Sequence, residues 1–170
     1  MEIHGYKCFN KNLTNRYKTK FKVGKTYTLS GIIKFGNDGN GYHMCKRLED
    51  TLRFFDAKNN EIVICEVVGK DEIVEYYDEY NGYYDMYSVR TIEIIKKLTR
   101  EEIINIMLNT YEERIIRFIS LYKLNKLEID LFKEKYQSND TIIKFIEYYQ
   151  EQNLDVFKNK KKILQIKRID

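Results

Sequence analysis

The sequence predicts an α+β protein: a mixed or antiparallel sheet with one short helix over residues 1–98, followed by three or four helices over residues 99–170 that pack on it and end in a basic tail. Two observations carry this. Before Thr99, short runs rich in β-branched and aromatic residues alternate with glycine- and asparagine-containing turns. After it, apolar residues recur at steps of three and four, with no glycine or proline to interrupt them. The stretch that organises the first half is residues 39–55, where a glycine-rich turn, an apolar segment with His43 and Cys45, and an amphipathic helix follow one another.

Taken in order, residues 2–9 place Ile3, Tyr6, Cys8 and Phe9 in a loosely alternating first strand. Residues 10–15 form a polar turn, and a basic segment follows as far as Val23. The strand formers of residues 26–35 predict a further strand. Residues 36–41 (GNDGNG) are the strongest turn signal, because glycine and asparagine tolerate positive φ. Residues 42–46 then return to the core, and Leu48, Leu52 and Phe55 take helical spacing with Arg47, Glu49, Asp50 and Arg53 between them. Residues 61–69 are apolar enough for a strand covered on both faces, with a turn expected at Gly69-Lys70, and residues 92–98 make the last strand. Between these lie six acidic residues and six tyrosines (Tyr76, Tyr77, Tyr80, Tyr83, Tyr84, Tyr87) around Asn81-Gly82, a hairpin signal.

Thr99 and Glu102 fit a capping box, and the apolar series from Ile103 to Tyr122 predicts one helix of about 20 residues. A second helix is expected over residues 124–136. A third begins after the cap cluster Ser138-Asn139-Asp140 and ends near Asn153. From Phe157 the chain turns basic, with Lys158, Lys160, Lys161, Lys162, Lys167 and Arg168.

Composition bounds the function classes. No apolar run approaches the roughly 18–20 residues of a membrane span, and the first residues lack the charged and apolar regions of a secretory signal. The three cysteines are an odd number, widely spaced and without a Cys-x-x-Cys pair, so no zinc site or redox pair is indicated and a reducing, cytoplasmic compartment is expected. The absence of proline and tryptophan, with abundant Ile, Lys and Asn, matches an A/T-rich genome, which supplies lysine everywhere and discounts the net charge of +4.

Candidate chemistry is sparse. His4 and His43 are the only histidines, and no carboxylate spacing turns them into a metal motif. His43 in an apolar run after a turn reads first as a core or edge residue. A nucleophile pair of Cys8 or Cys45 with either histidine is the catalytic counterpart. The glycines of residues 36–41 match neither phosphate-binding fingerprint. Seven basic residues and no acidic one occupy residues 7–25, among them Lys18, Lys20 and Lys22, and aromatic residues interleave, a pattern that suits RNA or single-stranded DNA. The tyrosines Tyr76, Tyr77, Tyr80, Tyr83 and Tyr84 read as a solvated hairpin or as a recognition surface for a protein partner.

Residues 5–14 (GYKCFNKNLT), 23–27 (VGKTY), 41–45 (GYHMC), 64–69 (ICEVVG) and 91–99 (TIEIIKKLT) together resemble an uncharacterised domain family of phage, prophage and giant-virus proteins, over residues 5–105. That family commonly carries Cys-Arg-Gly-Phe where this chain has Asn15-Arg16-Tyr17-Lys18. The resemblance implies a viral or mobile-element origin and brings no activity. His4-Gly5 followed by residues 41–44 (GYHM) is also similar to the ADP-ribosyltransferase arrangement, which would place His4, His43 and Glu93 around NAD, with His43 standing where that family has a tyrosine.

The leading expectation is therefore a small virus-encoded protein of the host cytoplasm that binds a host or viral macromolecule without catalysis, cofactor or metal. Tyr76, Tyr77, Tyr80, Tyr83, Tyr84, Lys18, Lys20 and Lys22 are its expected contacts. An NAD-using transferase and an RNA-binding protein are the alternatives.

Overall fold

The computed structural model describes residues 1–36, 39–55, 57, 61–78 and 83–151, with the side chains of residues 78, 83, 84 and 151 excepted. It is α+β, and the chain divides into two compact units, Met1–Glu102 and Ile103–Asp170. Tyr80, Asn81-Gly82 and the basic tail from Phe157 lie outside the described residues.

In the first unit the strands are β1 (Glu2–Asn10), β2 (Thr26–Thr28), β3 (Tyr42–Cys45), β4 (Ile62–Asp78) and β5 (Tyr83–Lys97), and every pairing among them is antiparallel. β1 pairs with β4 from Glu2↔Lys70 to Asn10↔Ile62. β4 pairs with β5, β5 with β3, and β3 returns to β1 at Tyr6↔Cys45, so the pairings form a closed circuit. β2 extends β5 beside β3. Inside lie Phe9, Phe21, Met44, Val63, Cys65, Val67, Tyr87, Val89, Ile92 and Ile94.

Three expectations change, two about strands and one about the short helix. Gly69-Lys70 is not a turn, because β4 runs through it as one arm of a long ribbon with β5. Glycine stands there for space: a Cβ at Gly69 would lie 2.7 Å from both Met44 Sδ and Val89 Cγ1. The ribbon absorbs its length with register shifts, and Asp71 takes φ 70° at one of them. The strand expected over residues 26–35 stops after Thr28, because Gly31 adopts φ 86° and leads the chain away from β5. The amphipathic helix is a 3-10 helix, Glu49–Phe54, and it buries Glu49 and Asp50 together with Leu48 and Leu52.

The basic segment before β2 is held by one aromatic side chain. Phe21 is fully buried, with ring centroids 5.1 Å from Phe9, 4.8 Å from Tyr27 and 6.0 Å from Tyr42. The main chain supports it: Phe21 N donates to Leu13 O at 2.8 Å, and Asn15 Oδ1 accepts from Tyr17 N at 3.0 Å and Thr19 N at 2.9 Å.

After the sheet, α1 (Arg100–Leu108) and α2 (Glu112–Leu121) replace the single helix expected over residues 103–122. Asn109 N and Thr110 N close α1 on carbonyls three residues back, and Tyr111 is extended before the acidic first turn of α2. Asn and Thr compete with helical hydrogen bonding, whereas the apolar spacing continues across the break, so periodicity alone hides it. The capping box at Thr99 and Glu102 is formed. α3 (Lys126–Lys135) has its own box from Asn125 and Glu128, and α4 (Asp140–Ile146) is capped by Asn139 before a π turn at Glu147–Glu151. Phe118 stacks near Tyr122 and Phe132, and buried Gln150 bonds Leu124 N at 3.0 Å and Tyr122 O at 2.8 Å. No helix among the described residues is long and apolar enough to cross a membrane.

Gly69→Ala is expected to lower stability by about 1–3 kcal/mol through overpacking against Met44 and Val89. A lower midpoint in thermal or urea unfolding, with the slope in urea unchanged, is the measurement that checks it.

Candidate functional site

A cavity of about 280 Å³ opens between β1, β3, the basic loop and the 3-10 helix of the first unit. That volume is near the lower end for ligand pockets, room for one small group. Its cations come from three elements: Lys7 from the middle of β1, Arg16 from the loop, and Arg53 from the 3-10 helix. No acidic side chain is among the described residues lining it. Aromatic rings surround these charges, with Tyr17, Phe35, Tyr42, Phe54 and Tyr76 foremost.

The aromatic wall is ordered as a stack. Tyr76 lies parallel to Phe35, centroids 4.3 Å apart and planes 4° apart, and Phe35 in turn faces His43 at 4.6 Å. Across the cavity Arg16 Nη2 donates to Tyr17 Oη at 2.9 Å, and its guanidinium lies 5.0 Å from the Tyr17 ring centroid. Tyr17 stays 66% exposed and Tyr76 38% exposed, so each keeps ring surface for a ligand.

Burial sets the protonation states. It lowers the His43 imidazole to about 4, with Lys7 and Arg16 acting in the same direction, so the ring is neutral. Its Nε2 is buried and has no hydrogen-bond partner among the described residues. Burial also lowers the Lys7 ammonium to about 8; Cys45 and Cys8 oppose this and Arg16 adds to it. Lys7 Nζ donates to the main-chain oxygen of His43. Burial pushes the Cys8 thiol up to about 12 and raises Cys45 further. Protonated thiols beside a neutral imidazole of low basicity give no support to the nucleophile pair that residues 43 and 45 suggested.

The structure joins two surfaces that the sequence kept apart. Tyr76 of the acidic, tyrosine-rich ribbon and Arg16-Tyr17 of the basic loop line the same cavity. Lys18, Lys20 and Lys22 are exposed along the loop just beyond Tyr17, and Tyr77 is exposed on β4. Tyr83 and Tyr84 belong to β5, and Tyr80 lies outside the described residues. His4, His43 and Glu93 do not converge: His43 lines this cavity, His4 a separate pocket with Lys46 and Glu66, and Glu93 lines neither and pairs with Lys70 at 2.7 Å. Lys7, Phe35 and Arg53 were not anticipated as site residues. The available signal for Lys7 was a lysine between Tyr6 and Cys8 in an otherwise half-buried strand.

Residues 3–106 match the model of a domain of unknown function, DUF7666, and the chain belongs to that family. No curated protein and no solved structure matches it.

The His43 resonances in an NMR titration are expected to show a midpoint near 4. Because this value lies below the unfolded reference near 6.5, the unfolded chain binds the proton first. His43 therefore costs stability as pH falls from about 6.5 towards 4. His43→Phe should flatten that part of the stability–pH profile, and unfolding midpoints across the window check it.

Proposed function

We propose that the chain is a non-catalytic binding protein whose cavity and adjoining basic loop take a single-stranded nucleic acid. One observation carries the reading: three cations and exposed aromatic rings face a single cavity with no carboxylate among its described lining residues. Basic groups neutralise phosphates and release counterions, and open ring faces stack on unpaired bases. A duplex hides those base faces, so a single strand fits this surface better. Lys18, Lys20 and Lys22 extend the positive track beyond the cavity.

The viral and cytoplasmic setting belongs to the same proposal, supported by the A/T-rich composition and by the resemblance of residues 5–105 to viral sequences. The nucleic acid would then be of viral or host origin.

Fluorescence anisotropy with a labelled single strand of about 16 nucleotides tests it. Binding should weaken linearly in logarithmic salt, and Arg16→Ala should reduce the slope by about 0.7. Tyr76→Ala should weaken binding by about tenfold, within the range of one lost base–aromatic stack. Salt-independent binding, equal affinity for duplex, or no effect of Tyr76→Ala would sink the reading, and capture of a protein in place of nucleic acid would replace it.

A further inference from the structure

Lys7 sets this cavity apart from an ordinary basic surface. It is half-buried in the middle of β1, and no carboxylate pairs with it among the described residues. The charged and titratable groups around it are Arg16, Cys8, Cys45 and His43; the residue lines the cavity, and its Nζ donates to the His43 carbonyl and lies 5.7 Å from the Phe9 ring centroid. A lysine enclosed without a counter-ion loses part of its preference for the charged form, which is how amines become nucleophiles near neutral pH.

We propose that Lys7 is a covalent anchor that condenses with the aldehyde of a phosphate-bearing ligand seated in the cavity. The aldehyde would come from the opened sugar of an abasic site in a single strand, or from a free phosphorylated aldehyde. This deepens the anion-binding reading of the cavity and rests on it. Arg16 and Arg53 supply the charge for the phosphate, and Lys7 supplies the reacting atom.

In the step, the neutral amine of Lys7 attacks the carbonyl carbon and the carbon–oxygen π pair moves to oxygen, which takes up a proton from the attacking nitrogen. The carbinolamine then loses its hydroxyl and the remaining N–H proton as water, leaving a carbon–nitrogen double bond. No oxidant or reductant is needed, and water reverses the bond. With the ammonium lowered to about 8, about a tenth of Lys7 is neutral amine near pH 7, against far less for a solvated lysine. The neighbouring thiols are held protonated by burial and do not compete for the carbonyl.

The test exposes the full chain separately to a single-stranded oligonucleotide with one abasic site, to the same strand intact, and to pyridoxal 5′-phosphate, each with cyanoborohydride to fix any imine. Intact mass counts adducts, and cleavage after Glu2 separates the Met1 amine from Lys7. The expected result is one adduct per chain, located at Lys7, with a yield that rises through pH about 8. Lys7→Arg keeps a cation without a nucleophilic amine, and should lower the yield about tenfold or more. Its circular dichroism and melting curve check that it folds. Where it does not fold, the adduct position in the unsubstituted chain decides.

Adducts spread over Lys18, Lys20, Lys22 or Met1, or no adduct at all, overturn the assignment. Intact-strand binding without a Lys7 adduct sinks the anchor alone. A Lys7 adduct with pyridoxal 5′-phosphate, but no binding of either strand, supports the anchor for a small phosphorylated aldehyde and overturns the nucleic-acid reading.

Discussion

The burial of Phe21 is the contact on which the site depends. Removing such a side chain from water stabilises by roughly 1.5–3 kcal/mol. Here that contribution fastens a loop which otherwise consists mostly of charged and polar residues. Lysines repel one another and give a chain no reason to stay on a surface. With Phe21 wedged among Phe9, Tyr27 and Tyr42, the residues before it must return along the sheet, and Arg16-Tyr17 reach the cavity. The same wedge leaves Lys18, Lys20 and Lys22 outside. One apolar residue therefore converts a basic sequence into a basic surface with a fixed place in the fold.

The closed circuit of strand pairings does the equivalent for the aromatic wall. β3 is only four residues long, yet it bonds to β5 along its length and to β1 at Cys45, and so carries His43 between the two. The long ribbon brings Tyr76 back over Phe35, which lies in the irregular stretch after β2. Stacking with planes 4° apart then orders a residue that no strand pairing fixes. The cavity is thus made by elements distant in sequence, and its chemistry is set by the side chains each brings to it.

Among the described residues that line that cavity, three are cations and none is a carboxylate. Desolvation works against the charged forms of Lys7 and His43; Lys7 and Arg16 lower His43 further, and Arg16 lowers Lys7 while Cys45 and Cys8 oppose it. His43 stays neutral, whereas Lys7, at about 8, keeps most of its charge at neutral pH and donates to the His43 carbonyl. In the proposed reading, an incoming phosphate would offset part of this cost.

The α+β class, the capped helices and the basic N-terminal segment were legible in the sequence, because each follows from local chemistry: alternation, caps and charge. It misread Gly69 as a turn, since a glycine demanded by packing against Met44 and Val89 looks the same in sequence as one demanded by φ. It joined α1 to α2 because apolar spacing persists through Asn109 and Thr110. That Tyr76 and Arg16 share a cavity while His4 and His43 do not, and that no carboxylate pairs with Lys7 among the described residues, emerges from the folded chain alone. Those are outcomes of register and chain crossing, which depend on residues dozens of positions apart, and no local pattern encodes them.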